Sequence, residues 1–436
     1  MALHSSLSLC VRLLRLAGLA PPDRCRSWRS PAGLLYRTYT TIAVGLVGHV
    51  LMPQAAGLVH YWGDMKVATE NLCLLFGYAT ACYKLLAILL RRPRILSFVR
   101  EVDARVTAMA SASAEARAVM RRRDRWSRRL AVFMVVQSTS TAFIWSMNSL
   151  RMSLLMGSSQ RTLPMISWYP YDMTVWYNYT VTFVIQFLSL ITVAFCNRTM
   201  DILIITLMCQ ISSLLEMLNL KFRDISEDNW LQADKSRTEA NPNYIWQSAA
   251  SVFSTTTGPN AVLEYVRTRI SENVSQSEIY TKLTRCIEVH QEIIRCAKEL
   301  EMLMNDIFLI DFVCCMIVVC STLYVSTSES EKLGDLMSHF GYLVAMTYPV
   351  LLYCLSAHDI IDQSERVSLS AYCSPWPQAA ARYRRALCIV TCRGQRPLTL
   401  TAGKFYVISR ATFLTLMNAS YSYYQILREI NVKRSD

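Results

Sequence analysis

Seven apolar segments dominate this chain, and each is long enough for a helix to cross a membrane. A helix needs about 20 consecutive apolar residues to span a hydrocarbon core of about 30 Å. The predicted spans are residues 39–61, 67–90, 130–154, 175–207, 303–325, 336–357 and 405–427. A β-barrel would instead show segments of roughly ten residues with alternating polarity. The sequence therefore predicts an all-α polytopic membrane protein with seven transmembrane helices.

The amino-acid composition agrees with this fold class. Hydrophobic residues make up 53% of the 436 residues, charged residues make up only 18%, and the mean hydropathy is +0.23. These values are too apolar for a soluble chain of this length. The fifteen cysteines do not indicate a disulfide framework, because most of them lie in apolar segments. We therefore expect free thiols.

The positions of the basic residues predict the orientation of the chain. Of the 45 Lys and Arg residues, 35 lie before span 1 or between spans 2 and 3, 4 and 5, and 6 and 7. The alternate segments hold seven, counting Arg151 near the end of span 3 with the loop that follows. Basic residues are retained on the cytosolic side, so this asymmetry predicts a cytosolic N-terminus and an extracellular C-terminus. Because the basic residues cluster on one side of the membrane, the net charge of +13 does not indicate binding of nucleic acid.

No motif in the sequence indicates an enzyme, a metal site or a cofactor. The six histidines include no pair at helical spacing that could hold a metal ion. Neither a glycine-rich phosphate loop nor a nucleophile elbow is present. The sequence therefore favours a protein that binds or transports over one that catalyses a reaction.

Ionisable residues within the predicted spans are candidates for function, because charge inside a membrane is costly. Asp201, Asp306 and Asp311, together with Arg198 and Arg410, all fall toward the cytosolic ends of their spans. We expect these helix ends to protrude into water, where the opposite charges pair.

Four short motifs lie in order near the end of the chain. They are Tyr372 with Trp376, Arg396-Pro-Leu398, Thr401-Ala-Gly-Lys404 and Ser420-Tyr-Ser-Tyr-Tyr424. Upstream are Trp168-Tyr-Pro-Tyr-Asp172 before span 4, Asp201 late in span 4, and Cys286 with His290 before span 5. In this order, the motifs resemble those of the insect odorant receptors. The resemblance covers most of the chain except residues from about 225 to 275.

The resemblance implies the insect odorant receptor channel fold and a function. The chain would be a tuning subunit, the ligand-binding part of an odorant-gated non-selective cation channel. It would form a hetero-tetramer with the odorant co-receptor in the plasma membrane of a sensory neuron, where it would serve sensory transduction. Its partners would be a small volatile odorant, the co-receptor subunits and membrane lipid, with no nucleic acid.

The spans and the resemblance together predict the organisation of the chain. The predicted segments are a cytosolic N-terminal segment (1–38), spans 1 to 4 (39–207), a cytosolic helical extension (208–302) with a flexible insert (226–277), spans 5 and 6 (303–357), a cytosolic anchor segment (358–404), the pore-lining span 7 (405–427) and an extracellular tail (428–436). The role of the insert stays open. The apolar run from Leu7 to Ala20 predicts a short amphipathic helix that lies at the inner membrane interface.

The resemblance also implies that the ligand binds among the outer halves of spans 2 to 6. Aromatic, methionine and small polar side chains there could form an apolar cavity with a few polar groups for orientation. The candidates are Leu75, Tyr78, Trp145, Asn148, Ser149, Met152, Tyr179, Phe183, Tyr324, Tyr342 and Met346. Any one of these residue types more often serves ordinary helix packing, so the set depends on the resemblance.

Span 7 carries the candidate pore and gate residues. Ile426 and Ile430 lie four residues apart near the predicted extracellular end, with Tyr423 one turn before them and Glu429 beside them. By the resemblance, the seventh helices of four subunits line a central pore that an apolar ring closes near this end. Lipid-facing isoleucines would give the same sequence pattern, so this role also rests on the resemblance.

Two alternative classes remain to be weighed against this interpretation. A gustatory-type receptor of the same superfamily usually ends in Thr-Tyr, five apolar residues and Gln-Phe, which Tyr423-Tyr-Gln-Ile-Leu427 does not match. A G-protein-coupled receptor has its N-terminus outside the cell, opposite to the predicted orientation. The sequence also lacks Asp-Arg-Tyr after span 3 and Asn-Pro-x-x-Tyr at the end of span 7.

Overall fold

Helices form almost all of the structure, a computed structural model that describes residues 5–22, 30–63, 65–156, 161–239, 259–328, 333–374 and 376–435. In chain order the helices are α1 (Ser5–Leu16), α2 (Pro31–Gly48), α3 (Leu51–His60), α4 (Met65–Ala110), α5 (Ala114–Met156), α6 (Trp176–Glu239), α7 (Pro259–Ser328), α8 (Leu333–Tyr372), α9 (Ala381–Gly394) and α10 (Arg410–Ser435). A two-stranded antiparallel sheet, β1 (Thr401–Ala402) with β2 (Tyr406–Val407), lies between α9 and α10. The predicted all-α class is therefore confirmed.

Six helical stretches of the described chain are long and apolar enough to cross a membrane. They are Pro31–His60, Val67–Ala110, Ala114–Leu155, Trp176–Ile225, Ser277–Thr327 and Met337–Tyr372. Helix α10 is not among them, because polar residues such as Asn418, Ser420 and Ser422 dilute its apolar character. The seventh crossing and the orientation of the chain stay predictions.

Helices α4 and α5 continue well beyond the predicted spans 2 and 3. α4 ends at Ala110 and α5 begins at Ala114, so the predicted loop 91–129 is almost entirely helical. Its buried side chains recur at helical spacing while the basic residues occupy the other faces. The most deeply buried apolar residues of this part of α4 are Ile95, Phe98, Val99, Val102 and Val106. This stripe packs into the protein core and keeps the helix intact outside the span.

The backbone of the insert at 226–277 is more regular than the sequence predicted. α6 continues to Glu239 and α7 begins at Pro259, and residues 240–258 lie outside the described chain. Extending an existing helix adds one hydrogen bond per residue and needs no new nucleus. Helical segments can therefore form here without the apolar periodicity that the prediction required.

The first membrane helix begins earlier than predicted. α2 starts at Pro31 and not at residue 39, because the Ser30 hydroxyl accepts a hydrogen bond from the Gly33 amide at 3.1 Å and Pro31 fits the first helical turn. α2 ends at Gly48, and α3 completes the stretch to His60. The predicted boundary at residue 38 therefore falls inside a helix.

Helix α1 is part of the protein core, which differs from the predicted helix at the membrane interface. Leu7, Cys10 and Leu14 are buried against α5 and α6. The Ser6 amide donates a 2.7 Å hydrogen bond to the Asp124 carboxylate, and Gln210 donates a 3.2 Å bond to the Ser6 hydroxyl. The apolar face of α1, which the sequence places against lipid, packs against α5 and α6 instead.

Helix α10 begins at Arg410, later than the predicted start of span 7 at residue 405. The preceding residues form the β1–β2 hairpin, in which Thr401 pairs with Val407. Gly403 and Lys404 adopt left-handed backbone angles, with φ of +59° and +65°, which turn the chain and exclude a helix. The Gly403 amide also donates to Asn305 of α7 at 2.9 Å, so the hairpin is tied to that helix.

The main cluster of buried apolar residues draws members from α1, α4, α6, α7, α8 and α9. Along α6, Met200, Leu203, Leu207, Leu214 and Leu218 are fully or almost fully buried. Along α7, the buried residues extend from Ile279 to Val325. Because these side chains are closely packed, the cluster is a rigid frame for the cavity described next.

Candidate functional site: a cavity between four helices

A cavity of about 80 Å³ lies between α4, α5, α6 and α8. Each helix contributes residues three or four positions apart, because that spacing places side chains on one helix face. The lining residues are Leu74, Gly77, Tyr78 and Ala81 of α4; Ser138, Thr141, Ala142 and Trp145 of α5; Leu190, Val193, Ala194, Asn197 and Arg198 of α6; and Tyr342, Ala345 and Met346 of α8. The lining is predominantly apolar with a few polar groups, a composition typical of small-molecule sites.

Trp145 is held in place at the wall of this cavity from two sides. Its indole N–H donates a 2.8 Å hydrogen bond to the carbonyl of Pro164, in the segment before α6. Its ring meets His339 edge-on at 5.5 Å and the ring of Tyr342 at 5.8 Å. Since the hydrogen bond and the two ring contacts hold the indole in place, it presents a preorganised wall to the cavity.

Tyr342 crosses the cavity from α8 to reach α4. Its hydroxyl donates to the backbone carbonyl of Cys73 at 3.2 Å. A Cβ atom added at Gly77 would lie 2.6 Å from this hydroxyl oxygen, which is closer than real side chains approach. Glycine at position 77 is therefore what allows the two helices to be joined through Tyr342.

The structure brings together four of the eleven candidate ligand residues. Tyr78, Trp145, Tyr342 and Met346 all line the cavity. Leu75 does not, and its neighbour Leu74 takes the lining position instead. A step of one residue turns the side chain by about 100° around a helix, so the candidate was placed on the wrong face. The role of the four lining residues in binding stays a prediction.

The other candidates lie outside the cavity lining, in contact with other parts of the bundle. Ser149 and Tyr179 both donate hydrogen bonds to the Thr162 carbonyl, at 3.0 and 3.2 Å. Asn148 accepts a 2.8 Å bond from Arg151, while Phe183 packs against Tyr179 at 5.9 Å. Met152 is absent from the lining as well, and Tyr324 is buried beside Tyr424 between α7 and α10. The prediction that these six residues line one pocket with the others is not supported by the geometry.

Sequence reasoning missed the polar residues of α6 at the inner end of the cavity. Asn197 and Arg198 line it, and both side chains are buried, at 8% and 4% exposure. The usable signal was an amide and a guanidinium within an otherwise apolar span. The sequence predicts Arg198 at the solvated end of the helix, whereas the structure buries it beside the cavity.

Beneath this end of the cavity lies a buried cluster of charges. The Lys84 ammonium is 2.7 Å from both the Asp201 and the Asp311 carboxylate, and Arg198 is 2.9 Å from Asp201. All four side chains are at most 6% exposed, and the Tyr353 hydroxyl also donates to Asp201. A second space of about 20 Å³ within this cluster shares Asn197, Arg198 and Met346 with the main cavity.

The expectation that the charged helix ends pair in water is therefore wrong for the Asp201 and Asp311 group. These carboxylates pair in the interior, because Lys84 of α4 and Arg198 of α6 reach them there. The expectation fits Asp306, which pairs with Arg91 at 2.5 Å with about a third of each side chain exposed. Arg410 lies 3.8 Å from Asp362 with more than half of its side chain exposed.

The candidate gate residues lie on a helix that is only partly covered. α10 packs on α7 and α8, where Tyr424 is buried. Tyr423 and Ile426, one turn apart, are each 53% exposed, and Glu429 is exposed as well. The side chain of Ile430 lies outside the described residues. This face of α10 is available to contact another subunit, lipid or a water-filled path.

The sequence profile of the family described as 7tm Odorant receptor matches residues 64–421. The chain belongs to this family of odorant receptors. Odorant receptor 13a of Drosophila melanogaster is 22% identical to it over 438 aligned positions, covering 96% of this chain and 94% of that protein. Odorant receptor Or2 of Anopheles gambiae is 25% identical, but the match covers 37% of this chain and 43% of Or2.

A solved structure with a similar fold is that of the insect olfactory receptor OR5 from Machilis hrabei in complex with eugenol. It superposes with a TM-score of 0.73 over 98% of both chains at 15% sequence identity, a likeness that shows the fold alone. The chain spans less than half the length of Or2 and of odorant receptor 10 of Aedes albopictus, at 43% and 40%. The resemblance, the membrane class and the exclusion of an enzyme are confirmed by the family.

Proposed function

We propose that this odorant receptor is a tuning subunit that binds a small volatile molecule in the cavity between α4, α5, α6 and α8. The observation that carries the proposal is a largely apolar cavity walled by the fixed rings of Trp145 and Tyr342. Such a lining suits a ligand that partitions out of water and needs few hydrogen bonds. The receptor of similar fold from Machilis hrabei was solved in complex with a small molecule, eugenol.

The proposed channel is a hetero-tetramer with the odorant co-receptor in the plasma membrane of a sensory neuron. In it, α10 is the pore-lining helix, and the exposed face with Tyr423 and Ile426 lies along the ion path. Ile426 and Ile430 form the apolar constriction, while Glu429 attracts cations at the mouth. An apolar ring blocks ions because a hydrated cation finds no ligands there to replace its water.

Ligand binding can change the position of α10 through the helices that pack against it, α7 and α8. Met346 and Tyr342 of α8 line the cavity, and α8 also packs against α10. Tyr324 of α7 is buried against Tyr424 of α10. A ligand that shifts the packing of α8 therefore acts on the helix that carries the gate.

The test is to express the receptor in cells with and without the co-receptor and to record currents while applying a panel of odorants. We expect some odorants to evoke cation currents only when both chains are present. Surface labelling of the receptor serves as the control for expression. A receptor that reaches the surface with the co-receptor and stays silent to the whole panel would contradict the proposal.

A further inference from the structure

Two polar atoms of neighbouring α6 residues in the cavity lining have neither a hydrogen-bond partner nor an ion-pair partner among the described residues. They are the side-chain oxygen of Asn197, which is an acceptor, and the Nε–H of Arg198, which is a donor. Both side chains line the cavity and are more than nine-tenths buried. A buried polar atom left unpaired is costly, so the site favours a group that satisfies both atoms.

A hydroxyl is the small neutral group that matches this pair of atoms. It donates one hydrogen bond and accepts others, whereas a carbonyl or an ether oxygen only accepts. We propose that the receptor recognises small alcohols, whose hydroxyl donates to Asn197 and accepts from Arg198 while the apolar body lies against Trp145 and Tyr342. This inference rests on the proposed function, because it names the class of odorant that the cavity takes.

The charges around the site favour a neutral ligand over an acid or an amine. Lys84 and Arg198 provide two positive charges, and Asp201 and Asp311 provide two negative charges, within one buried cluster. A charged ligand would add a charge that this balanced cluster does not compensate, and an uncompensated buried charge is strongly disfavoured. An alcohol brings the required donor and acceptor without a net charge.

Water makes the discrimination between ligands sharper. A water molecule in a polar recess of this kind can satisfy the same donor and acceptor. An alcohol that displaces it restores both hydrogen bonds, an ether restores only the bond from Arg198, and a hydrocarbon restores neither. The expected order of potency is therefore alcohol, then ether, then hydrocarbon.

The experiment compares benzyl alcohol, benzyl methyl ether and ethylbenzene on the receptor co-expressed with the co-receptor. Ethylbenzene has the same number of heavy atoms as benzyl alcohol, so the comparison isolates the hydroxyl. We expect benzyl alcohol to be about fivefold or more as potent as the ether, and the ether about fivefold or more as potent as ethylbenzene. The measured quantity is the concentration for half-maximal current.

Asn197→Leu tests the assignment of the acceptor, because it keeps the side-chain size and removes the amide. In this variant benzyl alcohol and its methyl ether should become equally potent, while the response to ethylbenzene is retained. Asn178→Leu is the matched control, because it makes the same exchange on α6 outside the cavity lining, where the Asn178 amide donates to the Asp172 carbonyl at 2.9 Å. It should leave the ratio between alcohol and ether unchanged.

The outcomes separate this inference from the proposed function. Silence to the entire odorant panel contradicts the proposed function. A receptor that answers other odorants but gives the three probes equal potency, or answers none of them, contradicts only the inference. An unchanged ratio between alcohol and ether in Asn197→Leu does the same. Should that variant fail to reach the surface, the probe series on the unmodified receptor still decides the question.

Discussion

The Lys84 ammonium lies 2.7 Å from the Asp201 carboxylate, and the two side chains are 4% and 1% exposed. They come from α4 and α6, and the same ammonium also reaches Asp311 of α7. One cation therefore joins three helices directly below the cavity. Because charges removed from water are stable only when paired, the cluster fixes how these helices meet.

Replacing Lys84 by Met should destabilise the protein strongly. The change keeps the size of the side chain but leaves Asp201 and Asp311 buried with less positive charge, which costs about 3–5 kcal/mol in comparable pairs. The measurement is the thermal midpoint of unfolding in detergent, together with surface expression. Arg91→Met is the matched control, because its pair with Asp306 is partly exposed and should cost about 1 kcal/mol or less. Equal losses in both variants would contradict this account.

Gly77→Ala should disturb the cavity through Tyr342. The new methyl group would meet the Tyr342 hydroxyl at 2.6 Å, and overpacking of this kind costs about 1–3 kcal/mol. We expect lower stability and weaker odorant responses, measured by thermal unfolding and by current recording. Adding Tyr342→Phe should restore part of the loss by removing the clashing oxygen, a coupling that the double variant reveals. Gly45→Ala has no atom within 4 Å of the new methyl group and should be tolerated.

Trp145→Ala should change which odorants are preferred. Removing the indole enlarges the cavity and withdraws aromatic contacts from the ligand, so bulky odorants should gain potency relative to small ones. The measurement is the rank order of half-maximal concentrations over the panel. Trp145→Phe retains a ring but loses the bond to the Pro164 carbonyl, and it separates the role of the ring from that of the hydrogen bond. A uniform loss of potency over all odorants would show that Trp145 supports folding or gating instead of selection.

Changes on the exposed face of α10 should alter conduction. Ile426→Ser places a polar group in the proposed apolar ring, which lowers the barrier to a hydrated cation and should raise the current without odorant. Glu429→Gln should lower cation permeability modestly, and less so at high salt, because the attraction is screened. Leu414→Ser, at an exposed position nearer the start of α10, is the control and should leave the leak unchanged. Normal leak and permeability in both test variants would remove this face from the ion path.

The orientation of the chain can be tested with epitope tags before Met1 and after Asp436. The asymmetry of 35 basic residues against seven predicts that only the C-terminal tag binds antibody in intact cells. Permeabilised cells provide the control, since both tags should then be labelled. An N-terminal tag accessible in intact cells would contradict the predicted topology.

The fold was predictable from the sequence because a membrane requires long apolar helices. What the sequence could not show is where those helices end outside the spans. The apolar stripe from Ile95 to Val106 extends α4 toward Ala110. Its helical spacing is present in the sequence, but the many basic residues of the segment favour a loop. The hairpin before α10 depends on left-handed backbone at Gly403 and Lys404, which propensity alone does not dictate.

The cavity was predictable only in part. Its lining depends on how each helix is rotated about its axis and on contacts between residues far apart in the chain. The aromatic residues Trp145 and Tyr342, predicted from spans 3 and 6, line the cavity, but the choice between Leu74 and Leu75 needs the rotation of α4 against its neighbours. The segment at Thr162 binds Ser149 and Tyr179, and its irregular backbone has no sequence periodicity. The partners of Lys84 lie more than 100 residues away along the chain, so no local pattern reveals the cluster.

The docking of α1 has a consequence for the biogenesis of the receptor. The Ser6 amide bonds to Asp124 and the Ser6 hydroxyl to Gln210, so the surface that receives α1 is complete only after α5 and α6 have been synthesised. During translation, α1 is made before its partners, so Leu7, Cys10 and Leu14 are not yet covered by α5 and α6. The ribosome must add roughly two hundred residues, at about 5–20 per second, before docking is possible. The amphipathic stripe of α1 suits temporary binding to the membrane surface. The docking of α1 is thus a late step of folding. The burial of α1 distinguishes a fully folded receptor from an incomplete one.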